Sequence, residues 1–429
     1  MNNKSFVFRY ALNLFLSWFC LITFSQSAQH NYILERDTYG DGSQYRDLVH
    51  YYDGLGIQEQ TVRVGITPHK NSLVESWQHD AFGSVTHHLL PVPCSTGAEA
   101  VAQKDIVRQA ITFYNDEVPL SRYKYEQSPL HRRSHVTGAG VRWHVSGHGV
   151  FTHYLFNDVN TDSLSCVLFE VSDTRLQSDT SVLVRNVGLY PSGRLRVESV
   201  IDEDNNVMLT FSTFSGLKVL ERRMVSRYQW LDTYYVYDAA SNLTAILPSS
   251  CLSAFSSQGG YVSSNSDILQ QYGYFYLYDR TGYKRGKKMP GSDWHFFVHD
   301  ASGTTVFSQD GVQRSRGQWS FTLCDVFGRV CLMGIGYGTF DVLHPCTSDF
   351  TITAERCASD AGLCGYRVNA SNGIFLSSVE IHHVWYYDDY SFLTDDSMWG
   401  AENADFTFQH IEGYAQRPSM SARTHLTGE

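Results

Sequence analysis

Large apolar side chains alternate with polar ones at period two along much of the chain, as in Trp319-Ser320-Phe321-Thr322-Leu323, Tyr235-Val236-Tyr237 and the run Tyr272 to Tyr278. Successive side chains of a strand point to opposite faces, so this spacing predicts β-strands with one ring-bearing face. In the last run the tyrosines at 272, 274, 276 and 278 share that face, and successive hairpins would bury it against their neighbours. One segment departs from the pattern. Thr96-Gly97-Ala98-Glu99 fits a capping box, and Val107, Ala110, Ile111 and Tyr114 recur at helical spacing, which predicts a helix near 97–115. Asn160 to Ser165 and Ser256 to Ser266 are polar, Ser-rich and aperiodic, and read as loops.

Between the strands one bend recurs. Tyr51-Tyr52-Asp53-Gly54-Leu55-Gly56 returns as His79-Asp80-Ala81-Phe82-Gly83, Tyr237-Asp238-Ala239-Ala240-Ser241-Asn242, Tyr278-Asp279-Arg280-Thr281-Gly282, His299-Asp300-Ala301-Ser302-Gly303 and Cys324-Asp325-Val326-Phe327-Gly328-Arg329. Tyr387-Asp388-Asp389-Tyr390-Ser391 is a weaker seventh copy. Asp at the first turn position accepts N–H bonds from residues just ahead, and Gly three places on takes the left-handed conformation that closes a hairpin. The aspartates lie 27 (53 to 80), 41 (238 to 279), 21 (279 to 300), 25 (300 to 325) and 63 (325 to 388) residues apart, near 21 to 27 and approximate multiples of them. The structural turn residues are therefore Asp53, Gly56, Asp80, Gly83, Asp238, Asp279, Gly282, Asp300, Gly303, Asp325, Gly328 and Arg329. The expected fold is mostly β: consecutive antiparallel β-hairpins forming a curved sheet or partial shell, with the one helix near 97–115.

This series resembles the YD-repeat, or RHS-repeat, family of large bacterial exported and surface proteins, whose unit is a Tyr-Asp-x-x-Gly-Arg-Leu hairpin. Asn31-Tyr32-Ile33, Tyr51 to Gly56, Gln60-Thr61-Val62, Asp80 to Gly83 and Glu126 to Leu130 together resemble the uncharacterised N-terminal domain that precedes the repeats in RHS proteins of many Gram-negative bacteria. Tyr272 to Pro290, Phe307 to Gly311 and Gly317 to Phe321 continue the likeness, which spans roughly 30 to 395. Arg after the turn Gly survives only at Arg329, and His79, His299 and Cys324 replace the Tyr, so the repeats are degenerate. The resemblance divides the chain into an N-terminal domain of unknown function over 28–150, a β-rich connecting segment over 151–230, YD/RHS-like repeats over 231–395 and a C-terminal tail or truncated repeat over 396–429. It implies a non-enzymatic polymorphic toxin-like protein that builds part of a β-shell for toxin encapsulation and delivery or for contact between cells. The family's core and toxin segments are not recognised here, so the expectation is a truncated or split member. The implied partner is another RHS-type chain or a downstream core/toxin segment.

Location is read from the start of the chain. Lys4 and Arg9 precede the apolar run Ala11 to Phe24, and small residues at Ser25, Ser27 and Ala28 follow, the pattern of an export signal over 1–27. The run is too short to span a bilayer, so the expectation is an exported product, periplasmic, surface-held or secreted, with no membrane span after cleavage. With 33 Lys+Arg against 44 Asp+Glu, the charge of −11 removes the phosphate attraction on which nucleic-acid binders rely. Losing Cys20 leaves eight cysteines, without a C-x-x-C pair, and mostly free buried thiols are expected.

No cofactor, metal or catalytic residue is expected. His144 and His148 stand four apart, a ligand spacing if helical, but Gly147 and Gly149 argue for a loop or strand. His87-His88 and His382-His383 diverge if they lie in strands. Asp202, Asp204 and Asn206 begin like a calcium loop, but Val207 and Thr213 break it, leaving an acidic turn. Gly334-Ile335-Gly336-Tyr337-Gly338 lacks a following Lys-Ser/Thr and reads as a flexible turn. The alternative function is a carbohydrate-binding or carbohydrate-active surface protein with a glycan stacked on Trp143, Trp294 or Trp385, motivated by 14% aromatic residues.

Overall fold

The structure, a computed structural model, describes residues 30–39, 44–172, 180–226, 229–255, 259–339, 350–357, 363–371, 375–388 and 422–428. The expected export signal, including Cys20, and most of the expected C-terminal tail lie outside these residues. The chain is mostly β and antiparallel, and it divides into two compact units, Met1–Leu155 with Glu198–Met208, and Phe156–Val197 with Leu209–Glu429.

In unit 1, β1 (Asn31–Tyr39), β2 (Gln44–Tyr52), β3 (Gln58–Arg63), β4 (Ser72–His79), β5 (Val85–Cys94), β6 (Leu120–Tyr125), β7 (Arg133–Thr137) and β8 (Val150–Phe156) each pair antiparallel with the next. Alternation sends Val49, Tyr51, Val62, Val74, Leu89 and Val92 to one face, where they are buried. Helix α1 (Gln103–Tyr114) covers that face with Ile106 and Ala110, one turn apart. It begins later than expected, and its packed stripe runs through Ile106, Val107 and Ala110, leaving out Ile111 and Tyr114 of the expected set. Its N-cap, Ala102, offers no side-chain bond, and Thr96 instead closes a turn in which its carbonyl accepts from the Glu99 N–H. Ile111 and Tyr114 are partly exposed, and the Tyr114 hydroxyl donates to the Pro91 carbonyl of β5. A second helix, α2 (Val141–Ser146), falls where a loop or strand was expected, ending at left-handed Gly147.

In unit 2, β9 (Val167–Val171), β10 (Leu183–Leu189) and a two-residue strand β16 (Val262–Ser263) form a small sheet. The main ribbon runs antiparallel through β13 (Lys218–Ser226), β14 (Gln229–Tyr237), β15 (Leu243–Pro248), β17 (Tyr274–Tyr278), β18 (Lys284–Lys288), β19 (His295–His299), β20 (Thr305–Gln309), β21 (Gln318–Cys324), β22 (Val330–Tyr337) and β25 (Ser377–Val384). Strands β11 (Arg196–Ile201) and β12 (Val207–Ser212) flank the Asp202 turn, which belongs to unit 1, and within unit 2 β23 (Ile352–Arg356) and β24 (Tyr366–Ala370) pair as a separate two-stranded sheet. Short helices α3 (Asp267–Tyr272) and α4 (Gly311–Arg316) interrupt the ribbon; Asp310 and Gln313 cap the second reciprocally.

The buried face is not always the tyrosine face. In β21, Trp319, Phe321 and Leu323 do point inward, each burial stabilising by roughly 1.5–3 kcal/mol. In β17, Phe275 and Leu277 are buried whereas Tyr274 and Tyr276 are half-buried; Tyr278 is buried beyond a register shift at Leu277, and Tyr272 belongs to α3. Tyr235 and Tyr237 likewise stand opposite buried Tyr234 and Val236. A phenol on the wetter face keeps its hydroxyl bonded and its ring available to cations: Tyr237 donates to the Lys218 carbonyl, and Lys218 and Lys284 lie 4.2 and 4.6 Å from the Tyr235 and Tyr276 rings. Gly334 and Gly336 lie inside β22 rather than in a flexible turn. A Cβ on Gly334 would strike the Glu380 carbonyl and the Phe321 ring, so glycine there admits close strand approach.

Candidate functional site

The recurrent bend has one geometry throughout. The Asp53 N–H donates to the Ile57 carbonyl, the Gly56 N–H donates back to the Asp53 carbonyl, and Asp53 Oδ1 accepts from the N–H groups of Leu55 and Ile57, both at 2.8 Å. Gly56 sits at φ 81°, and the strand register slips between Tyr51 and Tyr52. This is a type I turn followed by a left-handed residue in a bulge, the three-residue hairpin connection. Asp80, Asp238, Asp279, Asp300 and Asp325 repeat it, their Oδ1 atoms accepting two N–H bonds at 2.8 to 3.1 Å. Gly83, Gly282, Gly303 and Gly328 take positive φ, and Ser241 takes the same place at φ 66° without being glycine.

Two further copies carry no Asp-x-x-Gly signal. Asp202 makes the bend with Asn205 at φ 65°, which is what the residues resembling a calcium loop do. Thr213 makes it with Gly216, its hydroxyl oxygen accepting from the Leu217 N–H in place of a carboxylate. Searching for any short acceptor followed three places later by Gly or Asn would have found both. Arg329 has a separate part: its Nε donates to Asp325 of its own turn, and Asp388 holds its other face. Those hydrogen bonds, Asp388 first, hold the guanidinium pKa above its ordinary value. Of the weaker seventh copy, Asp388 is described, while Asp389 onward lies outside the described residues.

The remaining candidates are distributed apart. His144 Nε2 lies 3.1 Å from the Leu120 carbonyl and His148 Nδ1 2.6 Å from Ser146 Oγ. Among the described residues no group of three His, Cys, Asp or Glu is placed to hold a metal ion. Trp294 is buried, Trp385 is half-buried and stacks on His383, and exposed Trp143 packs edge-on against His148. Cys94, Cys166, Cys251 and Cys331 are buried, and burial pushes the Cys166 thiol up to about 12.

Geometry brings one group together in unit 1. The tips of the β2–β3 and β4–β5 hairpins lie side by side, a Cβ on Gly83 falling 3.0 Å from Ile57 Cδ1. Between them and residues 100–103 opens a cleft of about 760 Å³ into which Asp53, Glu59 and Asp80 contribute. Its far wall is fixed by Gln60, whose amide donates to the Val101 carbonyl and accepts from the Val101 N–H. Its inner end is closed by Tyr51, whose hydroxyl donates to the Ala98 carbonyl. Asp80 Oδ2 is 2.8 Å from His131 Nε2; burial works against this carboxylate, but the Ser84 N–H and His131 outweigh it and hold its pKa below the ordinary range. Asp53 and Asp80 are legible in the sequence as turn residues, whereas the cavity that the two turns frame has no signal there.

Residues 25–156, which include this cleft, match the family described as Domain of unknown function (DUF6443). No curated protein matches the chain. Among solved structures it is similar to the crystal structure of TcdB2-TccC3-TEV, at 13% identity and a TM-score of 0.45 over 76% of this chain and 15% of that one. It is also similar to the Photorhabdus luminescens Tc holotoxin pore, at 13% identity and a TM-score of 0.47 over 76% and 14%. The crystal structure of TcdB2-TccC3-Cdc42 gives 14% identity and a TM-score of 0.46 over 76% and 14%. This chain thus spans 14% or 15% of the chains it resembles.

Proposed function

We propose that this chain is a non-enzymatic, exported RHS/YD-type repeat protein whose hairpins build part of the wall of a β-shell, serving toxin encapsulation and delivery or contact between cells. The observation that carries the reading is the recurrence of one bend in both units: seven aspartates, Asp53, Asp80, Asp202, Asp238, Asp279, Asp300 and Asp325, each spend Oδ1 on their own backbone. Carboxylates engaged this way shape the chain and are poorly placed to act as acids, bases or nucleophiles. Repetition of one local unit is how extended walls are built. The partner in this reading is another RHS-type chain or a core/toxin segment that completes the wall.

The test is fractionation of a C-terminally tagged chain in a Gram-negative host, followed by co-purification with an RHS-type chain carrying core and toxin segments. The expected result is a product cleaved near Ser27 or Ala28, found outside the cytoplasm, that co-purifies with the second chain. An unprocessed cytoplasmic product, or one that ignores the second chain, would overturn the reading.

A further inference from the structure

The edge of unit 1 that carries the hairpin tips is unusually apolar. Leu55 at the tip of β2–β3 is 86% exposed, Phe82 at the tip of β4–β5 is 80% exposed, and Leu130, in the turn between β6 and β7, is 69% exposed. The three tips are contiguous. Gly83 abuts Ile57, the Phe82 ring lies 4.7 Å from the His131 ring, and the Tyr125 hydroxyl donates to the Val85 carbonyl.

Turn chemistry does not require these side chains. The bend needs an acceptor at its first position and a left-handed residue at its fourth, and the third is free. In unit 2 the equivalent third positions are held by Thr281 and Ser302, whose hydroxyls bond their own turn aspartates. Phe327, also exposed at a third position, lies 5.1 Å from the Arg329 guanidinium of its own turn, as Phe82 lies against His131 of the neighbouring one. Leu55 has none of these supports. A contiguous apolar patch on a folded protein marks an interaction surface.

Charge selects the occupant. The cleft beside these tips is lined by Asp53, Glu59 and Asp80, and by no lysine or arginine. Asp53 Oδ2 and the Glu59 carboxylate have no partner among the described residues, while Asp80 is answered only by His131. A low-dielectric cleft of one sign concentrates the opposite charge. Lysine and arginine carry such a charge on a flexible stem, long enough to enter the cleft from a segment lying over the tips.

We infer that this edge docks a basic, amphipathic polypeptide segment of a partner protein: its Lys or Arg side chains enter the cleft toward Glu59 and Asp53, and its apolar side chains lie over Leu55, Phe82 and Leu130. The inference stands apart from the shell reading, because a chain that proves to be cytoplasmic could still bind such a segment.

The experiment measures fluorescence anisotropy of labelled peptides of alternating Lys and Leu, Glu and Leu, or Lys and Ser, added to the full chain. The Lys–Leu peptide is expected to bind, more tightly than the Lys–Ser peptide, with the Glu–Leu peptide silent. Glu59→Gln, and Leu55→Ser with Phe82→Ser, are each expected to weaken it roughly tenfold, and salt at about 0.5 M to weaken it further. Phe327→Ser, on the corresponding tip of unit 2, leaves binding unchanged. All the substituted positions are exposed, and an unchanged thermal midpoint shows that the variants fold. No binding of the Lys–Leu peptide, equal binding of the Glu–Leu peptide, or an equal loss with Phe327→Ser overturns the inference.

Discussion

Arg329 and Asp388 meet through two parallel hydrogen bonds, Nη1 to Oδ1 at 2.9 Å and Nη2 to Oδ2 at 2.7 Å, while Asp325 takes the Nε of the same guanidinium at 2.7 Å. The Phe327 and Tyr387 rings lie 5.1 and 4.5 Å from its centre. The one arginine that keeps the repeat's Gly-Arg pair thus joins its own bend to a strand segment 59 residues away. Only a planar, forked cation meets both carboxylates at once.

Arg329→Lys should therefore destabilise the chain by roughly 1–2 kcal/mol, because the ammonium keeps the charge and loses the two-point grip. Asp388→Asn should cost less, and the double variant about as much as Arg329→Lys alone, the mark of a shared interaction. Urea unfolding of the four proteins measures this. Strictly additive losses would show that the two residues act independently.

The left-handed turn position gives a pair of opposite expectations. Gly282 stands at φ 91° with open space where a Cβ would sit, so Gly282→Ala should cost about 1 kcal/mol through backbone strain alone. Ser241 holds the equivalent place at φ 66°, and Ser241→Gly should stabilise by about 0.5 kcal/mol, strain relief exceeding the entropy that glycine adds to the unfolded chain. Thermal midpoints moving in the same direction would contradict the assignment of strain.

Much of this was legible in the chain, for a physical reason: the bend is local, its acceptor and its left-handed residue lie within five positions, and flanking alternation supplies the strands. Asp53 through Gly328 could be marked without knowing any distant contact. What escaped depended on partners far along the chain. Whether Tyr276 or Phe275 turns inward is decided by which ring can leave its polar atom wet, and the stripe that α1 packs on the strand face is set by Ile106 and Ala110 with Val107 beside them, leaving Ile111 partly exposed. His144 is helical because Asp116 Oδ1 accepts from the Val141 N–H and seats the start of α2, a contact 25 residues apart. The cleft could not be read at all, since it exists only where two separately legible turns come to lie side by side.

Burial makes a different pair consequential. Arg222 and Asp232 face each other across β13 and β14 with Nε to Oδ1 at 2.8 Å, and Arg222 Nη1 also donates to the carbonyls of Asp162, Ser163 and Ser165. Asp232→Ala would leave a buried guanidinium without its counter-charge and should cost about 3–5 kcal/mol. Urea unfolding of the variant measures the loss, and an unchanged midpoint would mean that the pair is solvated in solution.

Acid should loosen unit 1 through Glu126. Its carboxylate accepts from Arg132 Nε and Nη2 and from Ser128 Oγ, and these bonds, the arginine first, lower its pKa from an ordinary 4.5 to about 2. A carboxyl whose folded pKa lies below its unfolded one adds stability that is complete above the unfolded value and is lost as pH falls through the folded value, here between about 4.5 and about 2. Asp80, held low by the Ser84 N–H and His131 against the opposing effect of burial, loses its contribution in the same direction. Glu126→Gln should therefore melt below the unsubstituted chain near neutrality, with the two midpoints converging as pH approaches about 2. Calorimetric scans across that range provide the measurement. A difference that stays constant with pH would mean that the substitution acts through packing, whereas one that widens in acid would reverse the sign of the shift assigned to Glu126.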